Sequence, residues 1–270
     1  MGKKYINGCE KIGDTEMYYV SFGSGKKKLV VMPGLSDGLA TVKGKALLIS
    51  SDYKKFLKDY TVYMFSRKNK MPEGYSIRQM AEDQAAVMKQ LGIENAFVMG
   101  VSQGGMVAQY LAIDHPELVK GLMLVVTAPY ANDVALASVT GWIDMAKKGD
   151  HRTLMIDTAE KMYSQAYLKK YAKMFPLMAR FTRPKDYERF FRNAYAILGF
   201  DARDELSKIK CPVYIIAGDD DKTVGSDAAY ELKQAIPDSK IFVYEGLGHG
   251  IFTEAKDFYD RVLDFCDGII

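Results

Sequence analysis

The chain has 270 residues, which fits one large α/β domain or two small ones, since domains run roughly 100–200 residues and α/β folds often exceed that. Its 48% hydrophobic and 26% charged content is that of a packed globular protein and excludes a disordered one. With 37 Lys and Arg against 34 Asp and Glu, the net charge of +3 is too mild to point to nucleic acid.

In chain order, Met17–Phe22 is aromatic and β-branched and ends at the Gly23-Ser24-Gly25 turn, as a strand would. Leu29–Met32 is a short, wholly apolar run, the pattern of a strand buried on both faces, and stops at Pro33-Gly34. Tyr60–Phe65 is a third strand candidate. Ser76 to Leu91 reads as a helix. Ser76 and Gln79 form a capping box, Ile77, Met80, Ala81, Ala85, Met88 and Leu91 recur at helical spacing, and Gly92 ends it. A strand at Ala96–Met99, a helix at Gln103–Ile113 and a strand at Leu122–Val126 follow. This alternation implies βαβ units and a parallel sheet.

The alternation breaks after Pro129. Residues 131–204 hold helix-like stretches rich in Met and aromatics, and from Glu160 to Arg192 there are nine Lys or Arg against three Asp or Glu. Strand signals resume at Pro212–Ala217 and Lys240–Tyr244, with helices at Ser226–Ile236 and Thr253–Cys266. The simplest organisation is one sheet domain, residues 1–130 and 205–270, carrying a helical insertion at 131–204 that is too long for an ordinary loop.

Gly100-Val101-Ser102-Gln103-Gly104 is a GxSxG sequence with a strand entering and a helix leaving, the setting of a nucleophile elbow. Ser102 must sit on a tight turn, and Gly100 and Gly104 flank it because side chains there would collide. A serine hydroxyl needs a base to take its proton, and only three histidines are available. His249 lies in a glycine-rich loop after the last strand, at the sheet edge expected for Ser102. His115 lies past the far end of the helix that follows Ser102, at the opposite edge. His151 falls in the insertion and is expected to be solvated, the alternative being that it reaches the pocket from there. A carboxylate after a strand should complete the set, and Asp219, Asp220 and Asp221 are adjacent candidates.

On these motifs the chain resembles the α/β-hydrolase fold family, in particular its serine esterases with a helical cap, over roughly residues 14–130 and 205–270. The resemblance implies a mostly parallel sheet flanked by helices, with residues 131–204 as the cap. The family's G-x-x-D pattern selects Asp221 in Gly218-Asp219-Asp220-Asp221, and its Gly-His context matches Gly248-His249. Its oxyanion hole would fall on the backbone N–H groups of Gln103 and Leu35. Many members carry His-Gly where this chain has Pro33-Gly34, which leaves the amide donors in place. A serine, not an aspartate, sets aside the haloalkane dehalogenase and epoxide hydrolase branches.

The implied activity is hydrolysis of a small or medium carboxylic ester through an acyl-enzyme, with no metal or organic cofactor. Carbon–carbon bond hydrolysis, lactone opening, acyl transfer and perhydrolysis use the same triad, and a non-enzymatic ligand-binding relative is the remaining alternative. The expected partner is a small ester-like molecule, without nucleic acid, and a homo-oligomer is compatible with the composition. Met145, Met155, Met162, Tyr163, Tyr167, Tyr171, Met174, Phe175 and Met178 are expected to form the cap's core, with some facing Ser102. Trp142 is expected to be a packing residue, and Lys169, Lys170, Lys173, Arg180, Arg183 and Lys185 a solvated face, with contact to an anionic substrate tail or an acidic surface as the sharper reading. Three cysteines in no CxxC spacing, no apolar stretch behind the two opening lysines, and no run of about 18 uncharged apolar residues point to a cytoplasmic protein.

Overall fold

A computed structural model describes residues 4–268, so the first three residues of the opening segment lie outside it. Among the described residues, eight strands make one sheet in the order β1-β2-β4-β3-β5-β6-β7-β8. They are β1 (Lys4–Ile12), β2 (Thr15–Gly23), β3 (Lys27–Met32), β4 (Tyr60–Phe65), β5 (Ala96–Val101), β6 (Val119–Val125), β7 (Val213–Gly218) and β8 (Lys240–Tyr244). β1 pairs antiparallel with β2, and β2 with β4; every other pair is parallel.

The apolar run of β3 splits between two cores because side chains alternate along a strand. Val30 and Met32 join the cluster on one face, with Val98, Leu122 and Leu124. Leu29 and Val31 join the cluster on the other, with Phe97, Met99, Met123 and Val125. On the first face lie α1 (Ile77–Gln90) and α2 (Gln103–Asp114). α1 has the anticipated capping box: the Gln79 amide donates to Ser76 Oγ, and the Ser76 amide donates to Gln79 Oε1.

Between β6 and β7 run α3 (Asp133–Lys147), α4 (His151–Met162), α5 (Gln165–Tyr171), α6 (Met174–Thr182) and α7 (Glu188–Leu198). The ends of this segment are tied together. The Ala131 amide donates to the Phe200 carbonyl, and the Ala202 amide to the Pro129 carbonyl, each at 2.9 Å. After β7 come α8 (Ala228–Ala235) and α9 (Phe258–Gly268).

Two elements differ from the sequence expectation. β1 was not anticipated. It is an edge strand whose half-buried side brings only Ile6 and Ile12 to the core, with Gly8 and Glu10 between them breaking the apolar pattern, and it is held by a nine-pair register with β2. The closing helix expected over Thr253–Cys266 is two pieces. A turn at Ile251–Glu254 stops at Ala255, whose extended backbone (φ −79°, ψ 116°) redirects the chain before α9 begins. Among the described residues no helix is long and apolar enough to cross a membrane.

Candidate active site

Because β3 and β5 to β8 are parallel, the loops that follow them open at one edge of the sheet. Ser102 follows β5 and has φ 54° and ψ −122°, a conformation rare for a residue with a side chain. The turn is held from below: the Ser102 amide donates to the Val125 carbonyl at 2.9 Å, and Thr127 Oγ1 donates to the Ser102 carbonyl at 2.8 Å. The flanking glycines are required by contact. A Cβ on Gly104 would lie 1.9 Å from the Met32 carbonyl oxygen, and one on Gly100 would lie 2.5 Å from the Gly104 carbonyl oxygen. Val126 also has positive φ, at 42°, beside Thr127, so a second strained residue sits at the end of the neighbouring strand.

His249 and Asp221 are both buried, and His249 Nδ1 lies 2.7 Å from Asp221 Oδ2. The carboxylate can only accept, so Nδ1 carries the proton and Nε2 of the neutral ring is left as the acceptor. The other carboxylate oxygen, Oδ1, accepts the amides of Thr223 at 2.8 Å and Val224 at 3.0 Å. Asp221 is therefore clamped on both oxygens. Of its neighbours, Asp219 accepts the Gly246 amide at 2.7 Å and Asp220 pairs with Lys222 at 3.0 Å in the exposed part of the loop.

Ser102 and His249 line a single cavity of about 330 Å³. Leu35, Trp142, Met155, Met162, Tyr163 and Phe190 form much of its wall, and among its lining residues there is no Lys, Arg, Asp or Glu. Trp142 is thus a wall residue as well as a packing one, with its indole N–H donating to Asp157 Oδ2 at 2.7 Å. Gly34 packs directly against the serine, since a Cβ there would lie 3.2 Å from Ser102 Cβ. Gln103 is the first residue of α2, so its amide is one of those a helix N-terminus leaves without an intrahelical partner. Its side chain turns into the core, where Nε2 donates to the Asn193 carbonyl of α7 at 2.6 Å.

The other histidines lie elsewhere. His115 caps the far end of α2 and sits 2.9 Å from Glu82. His151 corrects the expectation of a solvated side chain: it is 3% exposed, 6.0 Å from the Tyr187 ring and 3.2 Å from Thr182 Oγ1. Burial, with the nearby Arg183 charge second, holds its pKa below the ordinary value.

Sequence reasoning missed a buried ionic cluster under the Pro33–Leu35 loop. Asp37 Oδ2 accepts Arg189 Nη2 at 2.6 Å and the Arg67 amide at 2.8 Å. Arg189 also donates to the Asp37 carbonyl, and at 2.7 Å to the Arg67 carbonyl. Arg67 Nη2 in turn donates to the Pro33 carbonyl at 2.7 Å, fixing the loop beside Ser102. Burial pulls the Arg67 guanidinium down to about 10, with Asp37 opposing that shift and Arg189 adding to it. These residues lie 30 and 152 positions from Asp37, so no local spacing signals them.

A family model described as the alpha/beta hydrolase fold matches residues 51–256. The chain belongs to the α/β-hydrolase fold family, and it is a hydrolase. One relative, from Azorhizobium caulinodans and provisionally named carbamate hydrolase RutD, is 25% identical over 95% of this chain and 97% of its own. Among solved structures, MGS-M2, an α/β hydrolase enzyme from a Medee basin deep-sea metagenome library, superposes with a TM-score of 0.84 at 18% identity, covering 96% of this chain and 97% of that one. The enol-lactonase of Burkholderia xenovorans LB400 gives 0.78 at 21% identity, covering 96% and 100%.

Proposed function

We propose that the chain is a serine hydrolase that opens an uncharged carboxylic ester, a lactone included, through an acyl-enzyme. The observation that carries this reading is the joint placement of a strained Ser102 and a His249 clamped to Asp221 at one apolar cavity. Ser102 Oγ attacks the carbonyl while His249 Nε2 takes its proton. The same imidazolium then protonates the leaving alcohol, and water repeats the sequence to release the acid. Asp221 holds the tautomer and stabilises the charged ring. The amides of Leu35 and Gln103 receive the oxyanion, each such donor being worth about 3 kcal/mol in comparable sites. Helices α3 to α7 act as the cap over residues 131–204.

The wall of the cavity favours a neutral substrate. A small anion such as free carbamate would lose hydration with no cation among the lining residues to receive it. The enol-lactonase neighbour fits the neutral reading, while the name of the carbamate-hydrolase relative does not transfer to this cavity. The test is Ser102→Ala assayed on p-nitrophenyl butyrate and on a panel of lactones. Activity should fall at least a thousandfold, with unchanged thermal unfolding and loss of labelling by a fluorophosphonate. Turnover by the variant within a few-fold of the parent would overturn the assignment.

A further inference from the structure

The outer face of the inserted helices carries an unusual combination. On α6, Met174, expected in a packed core, is instead 37% exposed, and Leu177 and Phe181 are 56% and 77% exposed. At 100° per residue they share an arc of about 60°. The opposite side of the helix is the packed one, with Ala179 buried and Phe175 and Pro176 half-buried. The surrounding charge is one-sided. Residues 161–185 hold seven Lys or Arg and no Asp or Glu, so the segment is +7 while the rest of the chain, with 30 basic and 34 acidic residues, is −4. Lys169, Lys170, Lys173, Arg180, Arg183 and Lys185 are all exposed.

We propose that this face docks on an anionic phospholipid bilayer, with Met174, Leu177 and Phe181 entering the headgroup boundary and the basic residues lying among the phosphates. An exposed apolar arc bordered by Lys and Arg is the pattern of a helix lying in the membrane interface. Each basic residue near such a surface adds electrostatic attraction, which salt screens. Charge complementarity selects this occupant over a second copy of the chain. A two-fold interface presents the same patch from both sides and would set six exposed cations against six, the seventh, Lys161, being paired with Asp157. The apolar arc favours a bilayer over nucleic acid, since Met174 and Leu177 offer nothing to phosphates and only Phe181 of the three presents a flat ring to a base.

The docking face connects to the cavity. Tyr163 lines the cavity and stacks on Tyr167 at 4.6 Å and on Phe175 of α6 at 5.8 Å. One aromatic cluster therefore joins the membrane-facing helix to the cavity wall. The docking stands on the exposed face alone and does not require the ester-hydrolase reading.

The experiment is co-sedimentation of the full chain with vesicles of phosphatidylcholine alone and of phosphatidylcholine with 30% phosphatidylglycerol, in 0.1 and 0.5 M NaCl. The parent should partition at least tenfold better onto the anionic vesicles and lose most of that in high salt. The double variant Leu177→Asp/Phe181→Asp and, separately, Lys173→Glu/Arg180→Glu should each reduce partitioning at least tenfold while melting like the parent. All four positions are exposed, so folding should survive. Tyr230→Asp, at an exposed tyrosine on α8, is the control and should bind as the parent does. The proposal fails if the two vesicle types bind alike, if neither binds, or if the variants partition as the parent. It fails equally if they merely dissolve a dimer in lipid-free solution, or if an oligonucleotide binds more tightly than the vesicles.

Discussion

Asp37→Asn should be among the most damaging single substitutions outside the cavity. In the folded protein the Asp37 carboxylate is 1% exposed and is the counter-charge for Arg189, whose side chain is 16% exposed, beside the fully buried Arg67. Neutralising it leaves two guanidiniums and no anion, and breaking a buried pair from one side costs about 3–5 kcal/mol. Arg189→Met should cost less, about 2–3 kcal/mol. It removes charge-assisted bonds to Asp37, but leaves that carboxylate beside Arg67 and relieves the like-charge repulsion that helps pull Arg67 down to about 10. The double variant then has one buried cation and no anion, and should be no worse than Asp37→Asn alone. The two losses should therefore fall short of additivity by at least the Arg189→Met loss, about 2–3 kcal/mol. Urea unfolding of the four proteins measures this directly. Asp37→Asn should also lower Tm by roughly 6–20 °C, at 2–4 °C per kcal/mol for a chain of this size. A loss below about 1 kcal/mol for Asp37→Asn, or additivity within about 0.5 kcal/mol, would refute the idea that the cluster is held by this charge pair.

Asp221→Asn keeps an acceptor for the Thr223 and Val224 amides but no longer fixes the His249 tautomer, so kcat on p-nitrophenyl butyrate should fall on the order of 10⁴-fold with KM little changed; retention of a tenth of the activity would contradict the role. Gly104→Ala forces a Cβ to within 1.9 Å of the Met32 carbonyl and should cost at least a hundredfold in activity along with several degrees of Tm. Gly141→Ala, inside α3 with nothing within 4 Å of the added carbon, should instead raise stability by about 1 kcal/mol. For His151, the folded pKa lies below the ordinary 6.5, so the unfolded chain takes the proton first on acidification. The stability it contributes is present above that value and lost as pH falls toward the folded one. His151→Gln should therefore flatten the decline of Tm between pH 7 and pH 5, and an unchanged slope would remove His151 from the explanation.

The parts that were legible in the sequence share a physical cause: they are local. The Ser76 capping box, the apolar runs of β3 and β5 and the glycines around Ser102 each report a constraint within a few residues. His249 became readable because loops after parallel strands share an edge, and His115, at the end of α2, is carried to the other. What escaped is settled by tertiary contact. β1 is specified by pairing with β2 and not by its own pattern. His151 sits in a polar, charged stretch of sequence and is buried beside Tyr187 and Thr182, which lie more than 30 positions away in the chain. The α9 boundary depends on one backbone angle at Ala255, where nothing in the residue type forbids a helix.

Helices α3, α4 and α7 supply residues to the cavity wall, and their bonds to the rest of the chain give them a second role. α7 supplies Arg189 to the Asp37 cluster beneath the Pro33–Leu35 loop and the Asn193 carbonyl to Gln103 beside Ser102. The end of α4 reaches the opposite wall, where the Met162 carbonyl accepts the Gly250 amide at 2.7 Å, next to His249. Glu254 then accepts both the amide and hydroxyl of Ser164, at 3.0 and 2.5 Å, and so anchors the start of α5 to the same loop. Every proposed reacting group is thus tied within a few residues to the insertion. A rearrangement of α4 or α7 would move the proposed base and oxyanion donors as well as the pocket wall. Substitutions on these two helices should accordingly change kcat together with substrate preference, whereas changes on the exposed face of α6, one layer further out, should change neither for a soluble ester.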